Sequence, residues 1–163
     1  MSASPLHPLR LALALCSLLL CLSASAAQSI QTWLDMALPG STLRLPPGEY
    51  SGPGVIRKPL TLEGNGKVVI NNAGKGTVLT ILADQVTVRG LTLRGSGDSH
   101  DAIDGGIMAE GKELLIEDNV LDDVLFGISL HRTSHSIVRG NRIRSRGHDS
   151  ADRGDGLRLW YST

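Results

Sequence analysis

The sequence predicts an all-β fold, a right-handed parallel β-helix (a solenoid) with a short N-terminal capping helix. The first observation is a template of short aliphatic strands that occurs at residues 86–93, 114–121 and 136–143. Val88, Ile116 and Val138 occupy equivalent places in it, at intervals of 28 and 22 residues. The second observation is that Gly, Asp or Asn interrupts each copy where a coil needs a corner. Repeats of this length are typical of solenoids, whose coils stack on their neighbours.

The first 26 residues have the pattern of an export signal. Arg10 precedes an apolar run over residues 11–22, and Ala24-Ser25-Ala26 offers a small-residue cleavage pattern near Ala26. The run is shorter than the about 20 apolar residues that a membrane-spanning helix needs. We therefore expect a Sec-type signal peptide over 1–26, a periplasmic location, and one mature domain over 27–163. A lipoprotein signal fits less well, because a bulky leucine precedes both Cys16 and Cys21.

The composition of the mature chain excludes several classes of function. Both cysteines lie in the signal, which leaves no disulfide, thiolate metal site or cysteine nucleophile downstream. Removal of Arg10 leaves 15 basic and 16 acidic residues, without the basic excess that nucleic-acid binding requires. No Gly-x-Ser-x-Gly elbow, P-loop or His-Glu-x-x-His pattern occurs. Abundant glycine and few aromatic residues indicate a narrow aliphatic core.

The elements before the repeats are predicted from local signals. Residues 29–37 should form a short amphipathic helix, with Ser29 as its N-cap and Pro39-Gly40 at its end. One face of this helix is apolar, with Ile30, Trp33, Leu34 and Ala37. A strand is expected over 43–45 and a tight turn over 46–50. The helix would cover the open sheet edge of the first coil.

Each of the four to five coils is expected to contribute three strands, whose inward residues alternate at period two. The inward residues of the first strand type are Leu79, Ile81, Ile107, Ala109, Ile128, Leu130, Leu157 and Leu159; those of the second are Val86, Val88, Leu114, Ile116, Ser136 and Val138; those of the third are Leu93, Leu121 and Ile143. The corners between the second and third strands are Gly90-Leu91, Asp118-Asn119 and Gly140-Asn141. Asn119 and Asn141 share a register, so we expect their amides to hydrogen-bond between coils.

Two coils carry a longer connection from the third strand to the first. Leu93 to Ile107 and Ile143 to Leu157 span fourteen residues each, against seven from Leu121 to Ile128. The first insertion loop (residues 95–104) and the second insertion loop (residues 147–155) each hold one histidine and three aspartates. Insertions in solenoids usually lie on one face, often the binding face. The residues expected to form a partner-facing loop surface are Asp98, Asp101, Asp104, Asp149, Asp152, Asp155 and Arg158.

The loops have two interpretations that the residues leave open. In the simpler one they are solvated turns, in which Asp and Ser side chains cap backbone amides. In the other they form a functional site, because carboxylates suit calcium, whereas histidine and methionine suit copper. Met108 follows the first loop and, by alternation, points outward in a column with Thr80, Ser129 and Arg158. His100, Met108 and His148 are therefore candidate copper contacts, although a lone exposed methionine is also ordinary.

His131 and His135 are interpreted as surface residues. Their spacing of four forms a metal pair on a helix, and this segment is predicted to be a strand end and a turn.

Four segments of the coils are more specific than the repeat pattern. They are residues 95–101, 125–130, 140–143 and the ending 153–162, Arg-Gly-Asp-Gly-Leu-Arg-Leu-Trp-Tyr-Ser. They resemble the NosD family of periplasmic accessory proteins, which serve the maturation of nitrous-oxide reductase. The opening at 39–50 is similar to the start of pectate-lyase-like β-helices in general. Family members are longer than this chain, so we expect an N-terminal fragment that ends inside a coil.

The resemblance implies a non-enzymatic role without catalytic residues. Family members work with an ABC-type ATPase and permease at the inner membrane and help to deliver copper to nitrous-oxide reductase. No tightly bound cofactor is implied, and any copper would be held transiently.

The alternative is an enzyme of the same fold, a polysaccharide lyase or uronate epimerase. Asp98, Asp101, His100 and Arg153 would then hold calcium, neutralise a uronate and remove its C5 proton. The scarcity of aromatic residues offers little surface for sugar stacking. A surface adhesin or a purely structural scaffold is the third possibility.

Overall fold

The computed structural model describes residues 27–146 and 154–163. Within these ranges the chain forms fourteen strands and one helix, wound into a parallel β-solenoid of about five turns. The predicted all-β solenoid is confirmed. The predicted signal peptide and most of the second insertion loop, including His148, Asp149, Asp152 and Arg153, lie outside the described residues. No helix in the described ranges is long and apolar enough to cross a membrane.

The elements follow one another in a regular order along the chain. They are β1 (Gln28–Ser29), α1 (Ile30–Met36), β2 (Thr42–Arg44), β3 (Gly48–Ser51), β4 (Gly54–Ile56), β5 (Leu60–Asn71), β6 (Leu79–Leu82), β7 (Val86–Arg94), β8 (Gly105–Lys112), β9 (Leu115–Glu117), β10 (Val120–Val124), β11 (Phe126–Ser134), β12 (Ile137–Arg139), β13 (Arg142–Ser145) and β14 (Leu157–Trp160). They form a nine-stranded sheet, which bends around a corner of the coil, and a five-stranded sheet in the order β14-β11-β8-β6-β4.

The register between coils matches the predicted equivalences. Leu62 pairs with Val88, Val88 with Ile116, and Ile116 with Val138. In the five-stranded sheet, Ile107 pairs with Ile128, and Ile128 pairs with Leu157. These inward side chains build one narrow aliphatic core, in which Leu62, Val88, Ile107, Ile116 and Ile128 are fully buried. Period-two alternation is therefore what places one side of every strand inside.

The inward assignment is only partly right at the last coil. Leu157 and Leu159 keep the expected register but are 48% and 63% exposed, because β14 lies at the edge of its sheet. Ser136 is half-buried and precedes β12 rather than belonging to it.

The corner residues adopt the backbone conformation that the sequence predicts. Gly90, Asp118 and Gly140 have φ angles of 65°, 54° and 66°. Glycine reaches this left-handed region without steric cost, and aspartate tolerates it better than most residues. The chain can therefore turn sharply between two strands of the same coil.

The capping helix is confirmed, with Ser29 as its N-cap and Ala37 as its C-cap. Ile30 and Leu34 are buried, and Trp33 and Ala37 pack against the core. The side-chain amide of Gln31 accepts from the Val55 backbone N–H at 2.7 Å and donates to the Val55 carbonyl at 3.3 Å. Val55 lies in β4, the edge strand of the five-stranded sheet, so Gln31 satisfies backbone groups that would otherwise be open to pairing.

The tight turn predicted over residues 46–50 is wrong in its extent. Residues 48–51 form β3, in which Tyr50 pairs with Ile70 of β5. The bend is confined to residues 45–47, where two prolines supply fixed φ angles and no N–H donors. Tyr50 is buried, and its hydroxyl donates to the Pro46 carbonyl at 2.9 Å, which holds the strand against that bend.

Candidate functional site

The first insertion loop is stabilised by its own polar residues. The Asp104 carboxylate accepts from the Ser99 N–H, and the Ser99 hydroxyl accepts from the Ala102 N–H, both at 3.1 Å. Ser96 is fully buried, and its hydroxyl accepts from the Leu125 N–H of the next coil at 2.9 Å. Asp98 and Asp101 are exposed. This loop therefore has the capping geometry of the simpler interpretation, with two carboxylates left facing solvent.

A single aromatic ring connects the first insertion loop with the last strand. His100 is exposed, and its ring meets the buried Phe126 edge to face at 5.6 Å between centroids. The Cζ atom of Arg158 lies 5.0 Å from the same Phe126 ring and 5.5 Å from the ring of Trp160. The structure thus brings together two residues that the sequence singled out separately, His100 and Arg158. Contacts of a guanidinium with aromatic rings are favourable and restrain the side chain.

The predicted outward column is present on the five-stranded sheet. Thr80 pairs with Met108, Met108 with Ser129, and Ser129 with Arg158. A second outward row lies two residues further along each strand, where Glu110, His131 and Trp160 are neighbours. Side chains of both rows stand on the outer surface of the sheet, because alternate residues of a strand point to opposite sides.

These two rows form the floor of a cavity that we call the outer groove. Its volume is about 500 Å³, and its walls are mostly apolar. The lining residues are Ile103, Met108, Glu110, Ser129, Leu130, His131, Arg158, Trp160 and Tyr161. Ile103 belongs to the first insertion loop, so the loop forms one wall. That the insertions mark a binding face stays a prediction.

Three polar groups stand out in the outer groove. The Nδ1 atom of His131 lies 3.0 Å from a carboxylate oxygen of Glu110, and the His131 ring meets Tyr161 edge to face. The Nε of Arg158 lies 3.4 Å from the Asp155 carboxylate. The hydroxyl of Ser129 is buried and has no hydrogen-bond partner among the described residues. The groove thus combines an apolar body with a few polar groups, which is the usual composition of a ligand site.

Sequence reasoning assigned His131 to the surface and missed its pairing with Glu110. His131 is half-buried and helps to line the groove, whereas His135 is exposed. The signal was available in the alternation, because Glu110 and His131 each follow an outward residue by two positions. Trp160 and Tyr161 lie in the NosD-like segment 153–162, and sequence reasoning assigned neither of them to a site.

The copper contacts stay a prediction. Met108 lines the outer groove, His100 lies beside Phe126, and His148 is outside the described residues. In the ranges 27–146 and 154–163, no group of three or more His, Cys, Asp or Glu side chains could hold a metal ion. Of the proposed loop surface, Asp98, Asp101 and Asp155 are exposed, and Asp104 caps the loop from within.

Comparison with known proteins identifies two relatives with the same name. The chain is 35% identical over 150 residues to the "Probable ABC transporter binding protein NosD" of Stutzerimonas stutzeri, a match that covers 88% of this chain and 34% of that protein. It is 33% identical over 117 residues to the protein of the same name from Pseudomonas aeruginosa, which covers 69% of this chain and 27% of that protein. These NosD proteins are homologues of this chain.

The resemblance to NosD that the sequence motifs indicated is therefore confirmed. The chain spans about a third of the length of the curated NosD relatives it matches. Their name associates them with an ABC transporter. No family model matches the chain, and no solved structure matches it either.

Proposed function

We propose that this chain serves as a periplasmic accessory protein of the NosD type, which docks with an ABC-type ATPase and permease at the inner membrane. Its task in this proposal is to assist copper delivery during maturation of nitrous-oxide reductase. The observation that carries the proposal is the 35% identity over 88% of the chain to a protein named as an ABC transporter binding protein. The NosD-like segments of the coils and the export-signal pattern at residues 1–26 support the same assignment.

The structure supports a docking role rather than turnover. A parallel solenoid offers extended faces for contact with a partner, and the first insertion loop contributes Ile103 to the outer groove. The carboxylates of Asp98, Asp101 and Asp155 are exposed, and that of Asp155 lies 3.4 Å from Nε of Arg158 in the outer groove, so they are available to cationic groups of a partner. His100, Met108 and His148 are the side chains proposed to contact copper transiently. The lyase or epimerase alternative is not favoured, because both relatives are named for transporter binding.

Deletion of the full-length gene in a host that reduces nitrous oxide tests the function. We expect reductase from the deletion strain to be copper-poor and inactive, and complementation by the wild-type gene to restore both. Fully copper-loaded reductase from the deletion strain would refute the proposal.

The copper contacts are tested in the same strain by complementation with a triple variant, His100→Ala, Met108→Leu and His148→Ala. The expected result is normal accessory protein with copper-poor reductase. His135→Ala is the matched control, because His135 is an exposed histidine outside the loops. Normal reductase in the triple variant would remove these three residues from the proposal while leaving the accessory role in place.

The location is tested by fractionation and N-terminal sequencing. We expect the mature protein in the periplasmic fraction, starting at Ala27. A cytoplasmic protein that retains residues 1–26 would contradict the export signal.

A further inference from the structure

The outer groove has the size and walls of a small-molecule site. Its volume of about 500 Å³ falls within the usual range of roughly 300–1,000 Å³ for ligand pockets. Ile103, Met108 and the rings of Trp160 and Tyr161 are the large apolar side chains among the residues that line it. These side chains would cover the apolar body of a ligand.

Ser129 indicates that the groove is built to hold a polar group as well. The residue is 8% exposed, and its hydroxyl has no partner among the residues that the structure describes. Buried hydroxyls in folded proteins are almost always hydrogen-bonded, because an unpaired one loses its interaction with water without compensation. Ser129 lies between Met108 and Arg158 in the outward column and is one of the residues that line the groove.

Arg158 places a positive charge next to that hydroxyl. Its side chain is 18% exposed, and its Cζ atom lies 5.0 Å from the ring centroid of Phe126 and 5.5 Å from that of Trp160, contacts that restrain the guanidinium. A guanidinium held in this way presents a fork of N–H donors that matches a carboxylate. Its partner Asp155 is 66% exposed and lies 3.4 Å from Nε, so this pair is solvated and weak. Glu110 also lines the groove, and its carboxylate lies 3.0 Å from the Nδ1 atom of His131.

We propose that the outer groove binds a small organic anion with an aromatic or aliphatic body. The carboxylate of the ligand meets Arg158 and the Ser129 hydroxyl, and its body packs against Met108, Trp160 and Tyr161. This site goes beyond the accessory role and does not depend on it, because binding of the anion requires neither copper nor the transporter.

Trp160 provides a direct reporter for binding. The chain has two tryptophans, and Trp33→Phe leaves Trp160 as the single one. Trp33 lies in the capping helix, away from the groove. The probe is 4-phenylbutyrate, and 4-phenylbutanamide is its uncharged counterpart of the same shape. We expect a saturable change in Trp160 fluorescence with a Kd on the order of 1 mM or below for the anion, and binding at least about tenfold weaker for the amide.

Two variants locate the anion. Arg158→Gln should abolish the preference for the anion over the amide, and Ser129→Ala should weaken anion binding about threefold or more, with the fold intact by circular dichroism. Arg142→Gln is the matched control, because Arg142 is an exposed arginine on the nine-stranded sheet. Equal affinity for anion and amide in the parent protein, or an unchanged preference in Arg158→Gln, would overturn the proposal.

A second readout does not depend on the variants. In protein labelled with ¹³C-methyl methionine, the Met108 signal should shift with 4-phenylbutyrate, while that of Met36, which is 64% exposed on the capping helix, should not. Absence of any saturable shift at Met108 up to about 10 mM anion would refute the site.

Discussion

The side chain of Asn119 replaces backbone pairing at a corner where the strands of adjacent coils separate. Its Oδ1 accepts from the Leu91 N–H at 3.1 Å, and its Nδ2 donates to the Val88 carbonyl at 3.0 Å. The amide oxygen of Asn141 in turn accepts from both the backbone N–H and the side chain of Asn119 at 3.0 Å. Three successive coils are therefore joined by two stacked asparagines, as their shared register predicted.

We expect Asn119→Ala to lower the free energy of unfolding by about 2–4 kcal/mol, because it strands buried backbone groups of Leu91 and Val88. Asn119 is 1% exposed, so water cannot replace the lost bonds. Asn141→Ala is the matched control, because Asn141 is the more exposed of the two asparagines, and we expect a loss of about 1 kcal/mol in its free energy of unfolding. Urea denaturation of both variants measures the difference, and equal losses would contradict this account.

Replacement of Ser129 by alanine should change the stability in the opposite direction to replacement of a serine whose hydroxyl is hydrogen-bonded. Without ligand, Ser129→Ala removes a buried hydroxyl that lacks a partner in the described ranges, so we expect stability to rise by about 1 kcal/mol. The hydroxyl of Ser136 accepts from the Leu114 N–H and donates to the Ser134 carbonyl, so Ser136→Ala should lower stability by about 1 kcal/mol. Thermal denaturation gives the sign of each change. A loss of stability in Ser129→Ala would show that the hydroxyl is already satisfied.

At the scale of elements, the strands of the nine-stranded sheet carry a ladder of alternating charges. Glu63 lies 2.9 Å from Arg44 and 3.2 Å from Arg89, and Glu117 lies 3.8 Å from Arg89 and 2.7 Å from Arg139. The register places each carboxylate directly between arginines of the coils before and after it. The hydrogen bond and charge of Glu117 raise the pKa of Arg139. Opposite charges at directly paired positions stabilise a sheet and disfavour slipped registers.

Glu117→Gln should lower the free energy of unfolding by about 1–2 kcal/mol, because its side chain is 10% exposed and pairs with two arginines. The control is Glu113→Gln, which alters an exposed carboxylate that accepts one bond from Gln85. We expect that change to stay within about 0.5 kcal/mol. Urea denaturation at neutral pH compares the two, and similar losses would mean that the ladder adds nothing beyond a surface pair.

At the scale of the whole molecule, the fold was predictable because its rules are local and repeated. The spacing of Val88, Ile116 and Val138 gives the coil length, and period-two alternation gives the inside of each strand. Gly90, Asp118 and Gly140 identify the corners from backbone chemistry alone. These signals of coil length, alternation and corners recur in every coil, so a wrong assignment in one coil does not change the predicted architecture.

The outer groove was not predictable in the same way. Alternation places Glu110 and His131 on the outer surface, but their contact also depends on the register between β11 and β8, which shifts after Leu130. The groove is lined from separate segments of the chain, with Ile103 from the loop, Met108 from β8 and Arg158 from β14. Such contacts arise from the packing of chain segments that are far apart in sequence. Local sequence patterns do not indicate how those segments pack. Met108 and Arg158 were found because alternation alone places them outside.

Acid sensitivity of the whole solenoid follows from two carboxylates that connect neighbouring strands. Hydrogen bonds from Asn71 and then Arg94 lower the pKa of Glu49, and the hydrogen bond from Arg144 lowers the pKa of Asp122. A carboxyl whose pKa is lower in the folded state stabilises the fold above its unfolded pKa, and this contribution is lost as the pH falls through the folded pKa. The ordinary values are 4.5 for Glu and 3.8 for Asp.

We therefore expect stability to be nearly constant from pH 7 to about 5 and to fall below about pH 4. Asp122→Asn should be less stable than wild type at pH 7 and should lose less stability on acidification, so that the two curves converge at low pH. Arg144→Gln is the matched test, because it removes the other half of the same pair and should flatten the curve in the same way. Urea denaturation between about pH 7 and pH 2.5 measures all three proteins. Parallel curves for wild type and Asp122→Asn would show that this pair is not part of the acid response.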